Sequence, residues 1–236
     1  MKVGAASLDT IAEIELVNFS IGLPKNMHFS KNQIVNTGIC KQSVEEAYLT
    51  KDGFRGDGVA DLKHHGGYDR AVCIYPFEHY AKWEKEFGKP LDAAAFGENL
   101  TVTNMLEENV CIGDIFQVGE AVIQVTQGRV PCSTISKRMD NPIILKRLVD
   151  TGYVGYLCRV LEEGIVRSDS KVSLVNKHPN EVSVLYCMDT YFHRTKDIDA
   201  MTRIINVPEL ADEWKEKLKA RVEKYSNLFQ DPFHKV

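Results

Sequence analysis

The chain has 236 residues, enough for one large domain or one domain with a small appendage. Lys plus Arg is 29 against 33 Asp plus Glu, a formal charge of −4, so nothing in bulk charge draws it to a nucleic acid polymer or an anionic membrane. With 44% hydrophobic and 26% charged residues it is globular rather than disordered, collagen-like or low-complexity, and no apolar run approaches the ~20 residues of a membrane-spanning helix.

The run Met1–Asp9 carries one Lys, and its apolar stretch breaks at Asp9, short of the ~7–15-residue core of a secretory signal. A cytoplasmic location with reduced thiols is therefore expected. Residues 13–21 alternate as a strand, and Gly22-Leu23-Pro24-Lys25-Asn26 breaks it with turn residues. Lys25 then reads either as a solvated turn lysine or as a cation at a cleft. The stretch from Asp61 to Arg70 crowds Lys63, His64, His65, Gly66, Gly67, Asp69 and Arg70 in front of a strand at 69–75. Adjacent glycines let backbone N–H groups approach an anion, and the His and Lys add charge and donors. A plain Gly-Gly hairpin is the competing reading. Zinc is a weaker rival, because neighbouring histidines on an extended chain point opposite ways.

Pro76 stands at a natural first helical position, apolar residues from Phe77 to Phe87 recur at helical spacing, and Gly88 closes the helix. In Phe96-Gly97-Glu98-Asn99-Leu100, Glu98 and Asn99 read as a strand-entry cap or as functional groups. Short strands follow at 99–102, 115–118, 121–126, 153–160 and 171–175, with one helix capped by Asn141 and stopped by Gly152. Many short strands with Gly-rich turns predict a closed or partly closed β-barrel over 1–177. No glycine-rich dinucleotide fingerprint and no P-loop occurs. Beyond His178-Pro179-Asn180 the pattern changes to three helices, over 181–192, 197–205 and 208–228, a small extension filling 178–236.

The six cysteines, at 40, 73, 111, 132, 158 and 187, show no C-x-x-C, zinc-knuckle or iron–sulfur spacing. Cysteines 40, 73, 111, 158 and 187 sit in apolar or alternating contexts and read as core thiols. Cys132 differs. It lies in a polar loop, Gln127-Gly128-Arg129-Val130-Pro131-Cys132-Ser133, with a cation three residues away, a setting that lowers a thiol pKa. It reads as a nucleophile with His64 or His65 as base, as a ligand to a soft or redox-active metal, or as a structural thiol.

These segments, in this order, resemble the MOSC family, named for the C-terminal domain of molybdenum-cofactor sulfurases, and most nearly its YiiM-like branch. The runs that carry the resemblance are Lys63–Cys73, Tyr75–Tyr80, Phe96–Leu100, Ile112-Gly113-Asp114 and Arg129–Cys132. The likeness covers about 13–176, and the tail resembles the branch's three-helix extension. It implies a MOSC-type β-barrel with a cleft for the molybdenum cofactor and a Cys132 thiolate that ligates molybdenum or carries sulfur. It also implies reduction of N-hydroxylated purines such as 6-hydroxylaminopurine, with His64 or His65 as proton source. Lys25, Asn26, Lys63, His64, His65, Gly66 and Gly67 would grip the pterin and its phosphate. Asp69, Arg70, Glu98, Asn99, Arg129 and Ser133 would bond or orient around it. The alternative is a sulfur carrier or a cofactor-delivery module. No flavin or iron–sulfur motif is present, so a separate electron-donor protein is the expected partner, alongside a small N-hydroxylated substrate. A homodimer is the commonest assembly to expect. Relatives usually carry Gln-Pro-Arg where this chain has Gln127-Gly128-Arg129, and Gly128 should make that loop more permissive.

Overall fold

The computed structural model describes residues 13–30 and 33–230. The N-terminal run read against a secretory signal lies outside them. Six strands come first: β1 (Leu16–Ile21), β2 (Lys25–Phe29), β3 (Gln33–Thr37), β4 (Gln42–Ser43), β5 (Glu46–Thr50) and β6 (Gly53–Phe54). A single helical turn α1 (Leu62–His65) and a 3-10 turn (Tyr68–Arg70) lead into β7 (Val72–Pro76), α2 (Glu78–Phe87) and β8 (Leu100–Val102). Then come β9 (Ile115–Val118), β10 (Ala121–Gly128), α3 (Ser133–Met139), α4 (Ile144–Thr151), β11 (Tyr156–Glu162), β12 (Gly164–Arg167) and β13 (Val172–Asn176). Three helices complete the chain: α5 (Val184–Phe192), α6 (Ile198–Ile205) and α7 (Asp212–Gln230). None of the described helices is long and apolar enough to cross a membrane.

Eight strands form one sheet in the order β13-β9-β10-β11-β7-β8-β1-β4, antiparallel except for the β7–β8 pair. Of the closed or partly closed barrel expected from the strand pattern, closure is not found. Among the described residues the end strands β13 and β4 do not pair with each other. β4 has only two residues to offer. β12, one residue beyond β11, pairs with β5 in a separate three-stranded sheet instead of extending the large one. The fold is a large mixed sheet with a smaller one beside it and a helical C-terminal region.

β7 is buried along its whole length, as a central strand covered on both faces should be. Tyr75 stacks on Phe96 with centroids 4.1 Å apart, and Trp83 of α2 donates its indole N–H to the Tyr75 hydroxyl at 2.8 Å. Gly88 and Gly152 end α2 and α4 in the left-handed conformation, as their sequence positions predict. Pro76 closes β7 instead of opening α2, because Phe77 N–H donates to the Val102 carbonyl and keeps this stretch in the sheet. The helix expected between Asn141 and Gly152 is α4, where the Asn141 side chain accepts from Ile143 N–H, while α3, ended by Asp140 in the left-handed region, is a further helix that the sequence pattern did not suggest.

Candidate functional site

A cavity of about 990 Å³ opens where β7 and the end of β10 meet the glycine turn, the loop after β10 and the first turns of α7. Arg129, Val130, Pro131 and Cys132 wall it on one side, and His64, His65, Gly66, Gly67 and Arg70 on another. Cys132 is half-buried at the N-cap of α3. Burial pushes its thiol up, but hydrogen bonds from His65 and Thr134 and the Arg129 charge outweigh burial and hold it at about 6. At neutral pH Cys132 is a thiolate.

The two adjacent histidines take different partners because α1 is a helical turn, not the extended chain or hairpin read from the sequence. Asp61 caps it, accepting from His64 N–H at 3.1 Å and meeting His64 Nδ1 at 2.8 Å. That contact lowers the Asp61 carboxyl pKa. His64 is thus tied to Asp61, while His65 lines the cavity together with Cys132. Gly67 has φ +108° and open space where a side chain would stand, so the turn keeps its backbone bare toward the cavity. The described residues contain no cluster of three or more His, Cys, Asp or Glu able to hold a metal, so zinc finds no support.

Of the expected residues, His64, His65, Gly66, Gly67, Arg70, Asn99, Arg129 and Cys132 come together around this cavity. Lys25, Asn26, Lys63, Asp69, Glu98 and Ser133 do not line it. Lys25 and Asn26 lie on the β2–β3 hairpin, where Asn26 accepts from the Asn36 side chain. Lys63 and Ser133 are exposed. Asp69 pairs with Arg159 at 2.6 Å. Glu98 is sealed in the core, accepting from Thr101 at 2.9 Å, Phe96 N–H at 3.1 Å and the Tyr80 hydroxyl. Burial, reinforced by Glu98, raises the Tyr80 pKa. Asn99 is a joint: its Oδ1 accepts from Cys73 N–H at 3.0 Å, and its Nδ2 donates to Ser20 O at 3.2 Å and Asp57 Oδ2 at 2.8 Å.

All six cysteines are free, and Cys111, Cys158 and Cys187 are buried as expected. Cys40 is half-buried. Cys73 is buried but forms part of the cavity wall, and burial raises its thiol pKa.

The sequence reading missed an ion pair between Lys41 and Asp57, both facing the cavity, their side chains 5% and 12% exposed. The two loops meet because Gly38 packs on Gly58, where a Cβ would come within 2.0 Å of the Gly58 carbonyl oxygen. Also missed were Gln127, Thr134 and three residues of α7, namely Glu213, Trp214 and Lys217. Arg129 Nη1 and Gln127 Oε1 are sealed from solvent with no partner, a donor and an acceptor left over at the cavity wall.

Gly128 is not slack. A Cβ there would lie 2.1 Å from Met188 Sδ, so α5 occupies the space a side chain would need.

A family model for the MOSC domain matches residues 61–173, and one for the YiiM-like three-helix domain matches 182–224. The chain is 38% identical to Protein YiiM of Escherichia coli (strain K12), over 80% of this chain and 88% of that one. It is 32% identical to a protein named Reductase from Gibberella moniliformis, over 81% of this chain but 36% of that one. The crystal structure of YiiM from Geobacillus stearothermophilus superposes with a TM-score of 0.75 at 32% identity, covering 89% of this chain and 99% of that one.

Proposed function

The chain belongs to the MOSC family, in its YiiM-like branch, and from that premise we propose that it binds the molybdenum cofactor and reduces N-hydroxylated purines and related compounds to the amines. The observation that carries the reading is Cys132: a half-buried thiolate at a large cavity, beside His65 and Arg129. A soft thiolate suits molybdenum. The residues present fit the rest of the group. Bare backbone at Gly66 and Gly67 and the Arg129 guanidinium with its unpartnered Nη1 offer donors and positive charge to a phosphate-bearing pterin. The volume sits at the upper end of small-molecule sites, which suits a cofactor together with a substrate.

The reaction consumes R–NH–OH, two electrons and two protons and yields R–NH2 and water. The bound cofactor supplies the two-electron chemistry. Cys132 would hold the metal, with His65, Thr134 and Arg129 keeping its thiolate charged. His65 holds a proton at the cavity wall, and His64, tied to Asp61 and open to solvent, can replace it. The electrons come from a separate protein.

Metal and pterin analysis tests the reading, on protein purified from a host that makes the cofactor. Stoichiometric molybdenum in the wild type and none in a folded Cys132→Ser variant is expected, with 6-hydroxylaminopurine reduction lost in parallel. A Cys132→Ser protein that still reduces the substrate would remove the thiol from the mechanism. A low-pKa thiolate also suits a persulfide. A mass increase of one sulfur atom on Cys132, without molybdenum, would replace this reading with a sulfur carrier.

A further inference from the structure

The glycine turn has almost nothing apolar to hold it. α1 buries none of its four residues, Leu62 is 75% exposed, and Gly67 has no neighbour where a side chain would stand. Yet this turn carries His65, which lines the same cavity as Cys132. Its pose must come from polar ties, and Arg70 makes them. Arg70 Nη1 donates to the carbonyl of His64 at 2.8 Å and to that of Gly66 at 3.3 Å, gripping the backbone on both sides of His65.

Arg70 is itself held from the far end of the chain. Its Nη2 pairs with the Glu213 carboxylate of α7, and the Arg70 side chain is only 10% exposed. Glu213 is well placed to serve as an anchor. The next residue, Trp214, is buried in the core, and Ala211 N–H donates to the Thr126 carbonyl at 3.0 Å. A second strut runs alongside: Arg159 Nη2 meets Asp69 at 2.6 Å and donates to the Glu209 carbonyl at 2.9 Å. Residues 209–213 therefore tie to the turn through both Asp69 and Arg70.

We infer that the three-helix extension positions the site: Glu213, acting through Arg70, sets the turn that presents His65 to the cavity. Glu213 is a positioning residue. The inference does not depend on which chemistry Cys132 performs, so it stands or falls apart from the cofactor assignment.

The test uses the full cofactor-free chain. Hydrogen exchange is measured across residues 62–70 in Glu213→Gln. Exchange in the turn should rise about three- to fivefold, the weight of a partly exposed ion pair, with the rest of the chain unchanged. Glu213→Asp should recover most of the effect. Arg70→Gln should give the same result, and adding Glu213→Gln to it should change nothing more. The inference is overturned if Glu213→Gln leaves the turn's exchange unaltered, or if its effect persists in full in the Arg70→Gln background.

Discussion

Cys132 is where the smallest scale decides the most. Its thiol is held at about 6, so in the cofactor-free protein alkylation should rise through pH 6, not near the ~8.5 of a free thiol. Below that pH the sulfur is protonated and reactivity is lost. Without the His65 hydrogen bond the inflection should move up, and His65→Ala should be alkylated about fivefold more slowly at pH 6, or slower still. A stopped-flow pH series reads both. Asn99 makes the complementary case. Its three hydrogen bonds go to Cys73, Ser20 and Asp57, so it fixes the wall and is not a free donor to a ligand. Asn99→Ala should cost about 1–3 kcal/mol in denaturant unfolding, the scale of a buried polar group left unpaired. Of the expected residues that line the cavity, all but Asn99 lie in two short runs of the chain, His64 to Gly67 with Arg70, and Arg129 with Cys132. Lys41 and Asp57 were not legible in the sequence, because their meeting depends on two loops touching at Gly38 and Gly58, and no local spacing records that contact.

At the scale of elements, the helices were easier to read than the strands. α2 and α4 end at glycines in the left-handed conformation, a local signal with one steric cause. The β2–β3 hairpin was hidden because Lys25 and Asn26 follow a Gly-Leu-Pro run that reads as a continuing turn. Barrel closure was overcalled for a different reason. Strand count and turn spacing do not say which edges pair, and β12 takes β5 as its neighbour. Gly128 shows an inter-element contact overriding a local reading. Taken as added freedom in the site loop, it is the point where β10 gives way to Met188 of α5. Gly128→Ala should therefore destabilise by about 1–3 kcal/mol through overpacking. Met188→Ala in the same chain should recover part of that loss, although it leaves a cavity of its own. Urea midpoints of the two single variants and the double variant form the cycle that measures the coupling.

Across the whole molecule, the change of sequence character near residue 178 marks the three-helix extension, and the packing joins that extension to the sheet. Val184, Cys187, Met188, Met201, Ile204, Trp214 and Leu218 are all essentially sealed, and they share one continuous apolar core with Val125, Tyr156 and Ile74 of the sheet. The same seam carries the Arg70–Glu213 pair and the contact between His178 and Glu209 at 2.9 Å. Helices that bury this much against the sheet have no independent core to retreat to, so they should not unfold separately. The two tryptophans make the claim measurable, because Trp83 reports from α2 beside the sheet and Trp214 from α7. Trp83→Phe and Trp214→Phe each leave a single fluorophore, one in each half. Their fluorescence transitions in urea should each coincide with the far-ultraviolet circular dichroism of the same variant. A Trp214 signal that melts well ahead of the sheet would mean that the extension docks as a separate unit, and the wall it lends to the cavity would then open before the rest of the fold.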